Sequence, residues 1–225
     1  SAAGLRLTGV GSEHPAGNAW GARLYTSLAF LGTILCIVAL GRTWGWSDRD
    51  AHLAGLIFAT AALPFGAGHV LTTDMLLTFW EVLIVLCAWR VWNGAGRVDL
   101  WRRGFWIACG MAFMTKGPPG LLPLLALIVY RKLHPAPPAA RLWSRAGFAV
   151  ALVLGLGWYL AVVAMMPAQF KHFVVDEVIH RVASDDQNRS KPFWFYLAVV
   201  PLGMAPWLFL WPAFVVGLWR RLKPG

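Results

Sequence analysis

The sequence has few charged residues, and acidic ones are the scarcest. Only 13% of its 225 residues are charged, with ten Asp and Glu against twenty Lys and Arg, whereas 58% are hydrophobic. About a quarter of the residues of an ordinary soluble domain are charged, so this composition excludes that class. The chain is predicted to be an all-α, polytopic membrane protein, because backbone in contact with lipid satisfies its own hydrogen bonds by forming helices.

Cysteine is also scarce. Cys36, Cys87 and Cys109 lie singly in different apolar runs, without the spacing of metal ligands or of a disulfide framework. We predict that they are small hydrophobic residues of the core.

Several familiar signals are missing. There is no Walker A loop, no repeat that relates the two halves, and no signal-peptide plan at the N-terminus. Because the sequence starts without Met, we expect it to be a piece of a longer protein and to be inactive alone.

Seven apolar segments are long enough, or nearly so, to cross a bilayer, which takes about 20 mostly apolar residues. They form a single transmembrane unit over residues 1–225. Their expected positions are about 20–41, 51–70, 75–93, 101–115, 118–131, 146–165 and 193–219.

The positive charges fall mainly on one side of this arrangement. Thirteen of the twenty cations lie in alternate connections, which is the pattern of cytoplasmic loops. The net charge of +10 therefore indicates contact with membrane lipids and requires no nucleic acid. The thirteen are Arg42, Arg49, Arg90, Arg97, Arg102, Arg103, Arg131, Lys132, Arg141, Arg145, Arg220, Arg221 and Lys223.

The same orientation brings three polar features to the non-cytoplasmic face. These are the turn at Asp74, the turn at Lys116 and the connection 166–192. Asp74 precedes an apolar run, so it either caps a helix or binds a substrate group or a metal. Glu81 lies inside a span, where a carboxylate usually faces a cavity or a partner, so it is either a protonated or internally hydrogen-bonded structural group or a catalytic one.

The segment MTKGPPG, residues 114–120, places a cation where a helix must stop. Pro118 and Pro119 suit the first turn of the next helix. Lys116 would then lie beside a helix start and could bind a phosphate there. Alternatively, Lys116 only reaches to the lipid headgroups at the interface.

In the connection 166–192, apolar residues recur at helical spacing between 168 and 183, which predicts an amphipathic helix lying in the interface. Its charged residues either form ion pairs on the helix surface or hold a divalent cation. The candidate metal ligands are Glu177 and His180; no cofactor is required by the pattern.

The order of five segments resembles the GT-C class of membrane glycosyltransferases, and in particular the bacterial branch of lipid A aminoarabinose transferase and relatives of protein O-mannosyltransferase. The likeness covers residues 18–212. The segments are NAWGARLYTSL, TTDMLLTFW, GMAFMTKGPPGLLPLL, FKHFVVDEVIHRVAS and KPFWFYLAVVPLGMAPW.

This resemblance implies a GT-C-like fold and an enzyme that takes a sugar from a polyprenyl phosphate. The acceptor would be a lipid, a glycan or a protein at the periplasmic or other extracytoplasmic face of a bacterial inner membrane. Lys116 and Arg181 would contact the donor phosphate, and Asp74 would position the sugar or the acceptor. Thr115, Glu177 and Tyr196 would lie at the substrate cavity.

The resemblance also has departures. The family's first extracytoplasmic loop, with its catalytic acidic residue, is expected upstream of residue 1, and a C-terminal soluble part is missing as well. In the aminoarabinose branch a histidine follows the glutamate of the interfacial helix, whereas here Val178 follows Glu177. A secondary transporter or flippase-like protein is the alternative, because interrupted helices beside charged residues also form transport sites.

Overall fold

The computed structural model describes residues 18–94, 96–134, 140–165 and 193–222, and these residues form helices joined by short connections. This confirms the predicted all-α class. In chain order the helices are α1 (Asn18–Thr43), α2 (Asp48–Thr60), α3 (Ala62–His69), α4 (Asp74–Trp92), α5 (Val98–Lys116), α6 (Leu122–Leu133), α7 (Arg145–Met165), α8 (Phe193–Gly203) and α9 (Trp211–Leu222), with 3₁₀ turns at Pro118–Leu121 and Trp207–Leu210.

The predicted number of seven spans is wrong. Among the described residues three helices, α1, α4 and α7, are long and apolar enough to cross a membrane, and up to five if each bent pair of helices counts as one span. Helix α6 has 12 residues, about 18 Å, which is too short. Helix α5 has 19 residues but carries Asp99, Arg102 and Arg103 in its first turns and Lys116 in its last.

Helix α5 lies between two other helices, and its charged residues lie at its two ends. It packs against α4 on one side and against α7 on the other. Ile84, Cys87 and Ala88 of α4 meet Phe105 and Cys109 of α5 in the largest buried cluster. Because α4 and α7 cover much of α5, its surface is not in contact with lipid all round, and its residues need not all be apolar.

The cysteine prediction is confirmed. Cys36, Cys87 and Cys109 are all free thiols and all buried. Cys36 packs with Leu40 and Leu86 between α1 and α4, and the other two lie in the α4–α5 cluster.

The second predicted span, 51–70, is a bent pair. Helices α2 and α3 meet at Ala61 with an angle of 62° between them. Pro64 explains the break, because a proline ring clashes with the carbonyl four residues earlier, here that of Thr60. The turn after α8 packs into the bend: the Ala62 amide donates to the Ala205 carbonyl at 2.8 Å, and Trp207 Nε1 donates to Thr60 Oγ1 at 2.8 Å.

Candidate functional site

The start of α4 and the end of α5 lie together at one end of the bundle, which we call the Lys116 end. Lys116 Nζ forms an ion pair with Asp74 Oδ1 across 42 residues of sequence. The predicted meeting of these two turns on one face is thus present in the structure. The opposite end, which holds Arg42, Arg90 and Arg102, is called the basic end.

The backbone around MTKGPPG explains how Lys116 is presented. Helix α5 ends at Gly117, whose φ of 70° lies in the left-handed region that favours glycine. Pro118 and Pro119 occupy the first positions of the following 3₁₀ turn, as predicted. The turn folds back so closely that a Cβ on Gly120 would lie 2.5 Å from the Ala112 carbonyl oxygen.

This turn is a poor source of free amides for an anion. Pro118 and Pro119 have no N–H, the Gly117 amide donates to Phe113 O, and the Gly120 amide donates to Gly117 O. The expected help from a helix start is therefore weak at these four residues. An anion that binds here depends on the Lys116 ammonium.

The Asp74 carboxylate does not cap helix α4. Asp74 is the first residue of α4, and the N-cap residue Thr73 makes no side-chain capping bond. The Asp74 carboxylate instead faces Lys116 and is about half exposed, with 54% of the side chain accessible against 42% for Lys116. The Asp74 carboxylate thus pairs with Lys116; its binding of a substrate group stays a prediction.

Glu81 belongs to the same electrostatic group. It lies seven residues after Asp74, two turns along the same face of α4, and is half-buried. It interacts electrostatically with Lys116.

Sequence reasoning missed one contact at this end. The Tyr25 hydroxyl of α1 donates to the Thr72 carbonyl at 3.3 Å, which ties α1 to the turn that precedes Asp74. Tyr25 belongs to the segment NAWGARLYTSL, which was already named in the resemblance. No pattern in a single sequence, however, links Tyr25 to residue 72.

The remaining predicted site residues differ in how much of each residue the structure describes. Thr115 is half-buried, and its hydroxyl donates to Met111 O at 2.7 Å within α5. Tyr196 lies on α8, but its side chain is outside the described part of the structure. Glu177, His180, Arg181 and the predicted interfacial helix of 166–192 lie outside the described residues.

No site for a metal ion is present in the described part of the chain. Within residues 18–94, 96–134, 140–165 and 193–222, no three His, Cys, Asp or Glu side chains are grouped closely enough to hold one. The two candidate ligands, Glu177 and His180, are not among these residues. Metal binding stays a prediction.

Comparison with known proteins finds close relatives. The chain is 31% identical over 206 residues to the undecaprenyl phosphate-alpha-4-amino-4-deoxy-L-arabinose arabinosyl transferase 2 of Proteus mirabilis (strain HI4320), matching 89% of this chain and 37% of that protein. It is 28% identical over 228 residues to the protein of the same name from Pseudomonas fluorescens (strain Pf0-1), matching 99% of this chain and 41% of that protein. No protein-family model matches the chain.

Solved structures agree with this result. The crystal structure of ArnT from Cupriavidus metallidurans in the apo state matches with a TM-score of 0.74 and 26% identity, over 99% of this chain and 40% of that one. The structure of the same protein bound to undecaprenyl phosphate matches with a TM-score of 0.75 and 27% identity, over 95% of this chain and 38% of that one. The chain thus spans about two fifths of the length of these relatives, and over that part it is a homologue of the undecaprenyl phosphate-aminoarabinose arabinosyl transferases and shares their GT-C membrane fold.

Proposed function

We propose that the protein containing this chain is a membrane glycosyltransferase that transfers a sugar from a polyprenyl phosphate carrier to an acceptor at the non-cytoplasmic face. The Lys116–Asp74 pair carries the proposal, because it presents an accessible cation at a helix break in a fold whose relative binds undecaprenyl phosphate. The relatives' names support an aminoarabinose-type sugar. The acceptor is a lipid, a glycan or a protein.

In this proposal the donor phosphate replaces the Asp74 carboxylate as the partner of the Lys116 ammonium. A pair in which both side chains are about half exposed is worth only about 0 to 1 kcal/mol, so a phosphate displaces the carboxylate at little cost. The released Asp74 carboxylate is then free to accept a hydrogen bond from a sugar or acceptor hydroxyl. The resting ion pair thereby holds both groups in position before the substrate arrives.

The chemistry is a substitution at the anomeric carbon. An acceptor oxygen forms the new bond, the bond from that carbon to the phosphate oxygen breaks, and the electron pair leaves with the polyprenyl phosphate. Lys116 stabilises the charge that grows on the phosphate, a contribution typically worth about 3 kcal/mol. Where the acceptor is a hydroxyl, its proton goes to a carboxylate acting as general base.

The charges at the Lys116 end call for another cation. Asp74 neutralises Lys116, so this pair has no net charge. A phosphate is attracted only weakly to such a pair unless a further positive group joins it. Arg181, which the resemblance places at the donor phosphate, supplies that charge in the proposal.

The test is transfer of radiolabelled sugar from a polyprenyl phosphate donor by the full-length protein and its Lys116→Ala variant. We expect a loss of about a hundredfold. Lys132→Ala is the matched control, since Lys132 is an exposed lysine at the end of α6 and on the opposite face. It should keep the parent rate.

Two results would overturn the proposal. An unchanged rate in a folded Lys116→Ala protein would reduce Lys116 to an interfacial anchor. Substrate uptake into vesicles that depends on a proton gradient and needs no lipid-linked sugar would establish the transporter alternative instead.

A further inference from the structure

A cavity lies at the basic end, away from Lys116. It has a volume of about 480 Å³ and opens between the first turns of α5 and α7. On α5 it is lined by side chains at helical spacing, and on α7 by the residues around the helix start. The residues that matter for its chemistry are Asp99, Arg102, Arg103, Trp106 and Ser144.

The two arginines of this cavity are in different situations. Arg102 is fixed, because Nη1 bonds Asp99 Oδ1 at 2.9 Å and Nε donates to the Arg141 carbonyl at 2.9 Å. Arg103 is exposed, and no partner is recorded for its guanidinium among the described residues. With Asp99 counted, the three side chains still leave one positive charge in the cavity.

The start of α7 adds to this field. Ser144 Oγ accepts the Gly147 amide at 3.2 Å, which caps the helix. Helix α7 has 21 residues, and the positive end of its dipole faces the cavity. The cavity is therefore suited to an anion.

An apolar groove continues from the cavity between α5 and α7. Its volume is about 290 Å³, and its walls include Gly110, Phe113, Leu152 and Gly155. Trp106 lines both the cavity and the groove, and its indole Nε1 donates to Leu142 O at 3.0 Å. The polar cavity suits a lipid headgroup, and the apolar groove that leads from it along two helices suits an acyl chain.

We propose that this cavity binds an anionic phospholipid of the cytoplasmic leaflet, with its phosphate at Arg103 and one acyl chain in the groove. Charge complementarity selects this occupant, since the basic end lies at the leaflet where anionic lipids attract Lys and Arg. The site is separate from the donor site, and it does not depend on the proposed reaction.

The test is native mass spectrometry of the full-length protein in detergent with phosphatidylglycerol or phosphatidylcholine added. The parent should retain phosphatidylglycerol in preference. The variant Arg103→Gln should lower that preference about fivefold, since one cation at a membrane surface is worth about 1 kcal/mol. Arg49→Gln is the matched control, because Arg49 is an exposed cation of the basic end that does not line the cavity.

A second variant tests the groove. Leu152→Trp narrows the groove without changing any charge, and it should weaken retention of both lipids. Equal preference for phosphatidylglycerol in Arg103→Gln and Arg49→Gln proteins would overturn the proposal. So would full retention in Leu152→Trp, or a structure of the whole protein in which another of its segments fills the groove.

Discussion

The two ends of the bundle both carry cations, but they use them differently. At the basic end several arginines contact protein partners. Arg42 Nε bonds Asp48 at 2.6 Å, the Arg90 guanidinium lies 4.8 Å from the Trp101 ring centre, and that of Arg131 lies 5.5 Å from the Trp92 ring centre. These contacts place the charges at the headgroups and fix the helix ends.

At the Lys116 end one lysine lies beside a helix break and pairs with one carboxylate. Its partner Asp74 is half exposed, and the nearby turn contributes no amides at Gly117–Gly120. The Arg42–Asp48 pair is at least as exposed as the Lys116–Asp74 pair, so exposure does not distinguish the two ends. What distinguishes the Lys116 end is the helix break beside the lysine, and our proposal assigns exchange with the sugar donor to that end.

The strongest way to break this comparison is to exchange the two charges of the site. In the double variant Asp74→Lys with Lys116→Asp the ion pair is restored, but the cation moves from the end of α5 to the start of α4. If Lys116 binds the donor phosphate, sugar transfer should stay about a hundredfold below the parent, as in each single variant.

The matched exchange is Arg42→Asp with Asp48→Arg at the basic end. That protein should transfer sugar at a rate within about twofold of the parent, because an exposed pair there contributes little. Recovery of transfer by the double variant at Asp74 and Lys116 would show that the pair only holds two helices together.

A smaller effect is expected from the turn that presents Lys116. Gly120→Ala places a methyl group 2.5 Å from the Ala112 carbonyl oxygen, so the 3₁₀ turn must move away from α5. We expect the free energy of unfolding to fall by about 1 to 3 kcal/mol, as in other overpacked sites, with a parallel loss of transfer. Thermal unfolding in detergent measures the first quantity.

Gly66→Ala is the control for this change. Gly66 lies within α3, and a Cβ there meets no atom within 4 Å. Alanine should be tolerated or slightly stabilising, because it has the higher helix propensity. Equal stability of the Gly120→Ala and Gly66→Ala proteins would show that the turn is not packed as described.

Much of this architecture could be predicted from the sequence because lipid allows few alternatives. A lipid-exposed backbone forms helices, single cysteines in apolar runs become core residues, and alternating charge fixes which turns share a face. These rules predicted the helices, the buried Cys87 and Cys109, and the common face of Asp74 and Lys116. They rest on composition and order along the chain.

The misses have a different origin. The count of spans was wrong because it included α6, which has only 12 residues, and α5, which carries Asp99, Arg102 and Arg103 in its first turns. The sequence does contain a signal for the bend at Ala61, namely Pro64. The bonding of Asp74 with Lys116, and of Tyr25 with Thr72, depends on how helices rotate against each other, which periodicity in one sequence does not determine.

The smallest effect on stability is expected from a substitution in the Arg42–Asp48 pair of the basic end. Asp48→Asn removes the carboxylate that pairs with Arg42, while Ser47 still accepts the Asp50 amide at 3.1 Å and caps α2. Because the Asp48 side chain is 78% exposed, the free energy of unfolding should fall by only about 0.2 to 1 kcal/mol, and less at high salt. Sugar transfer should not change, since Arg42 keeps its charge and its place at the headgroups. A loss of transfer comparable to that of Lys116→Ala would mean that the basic end takes part in the reaction and that the division of roles between the two ends is wrong.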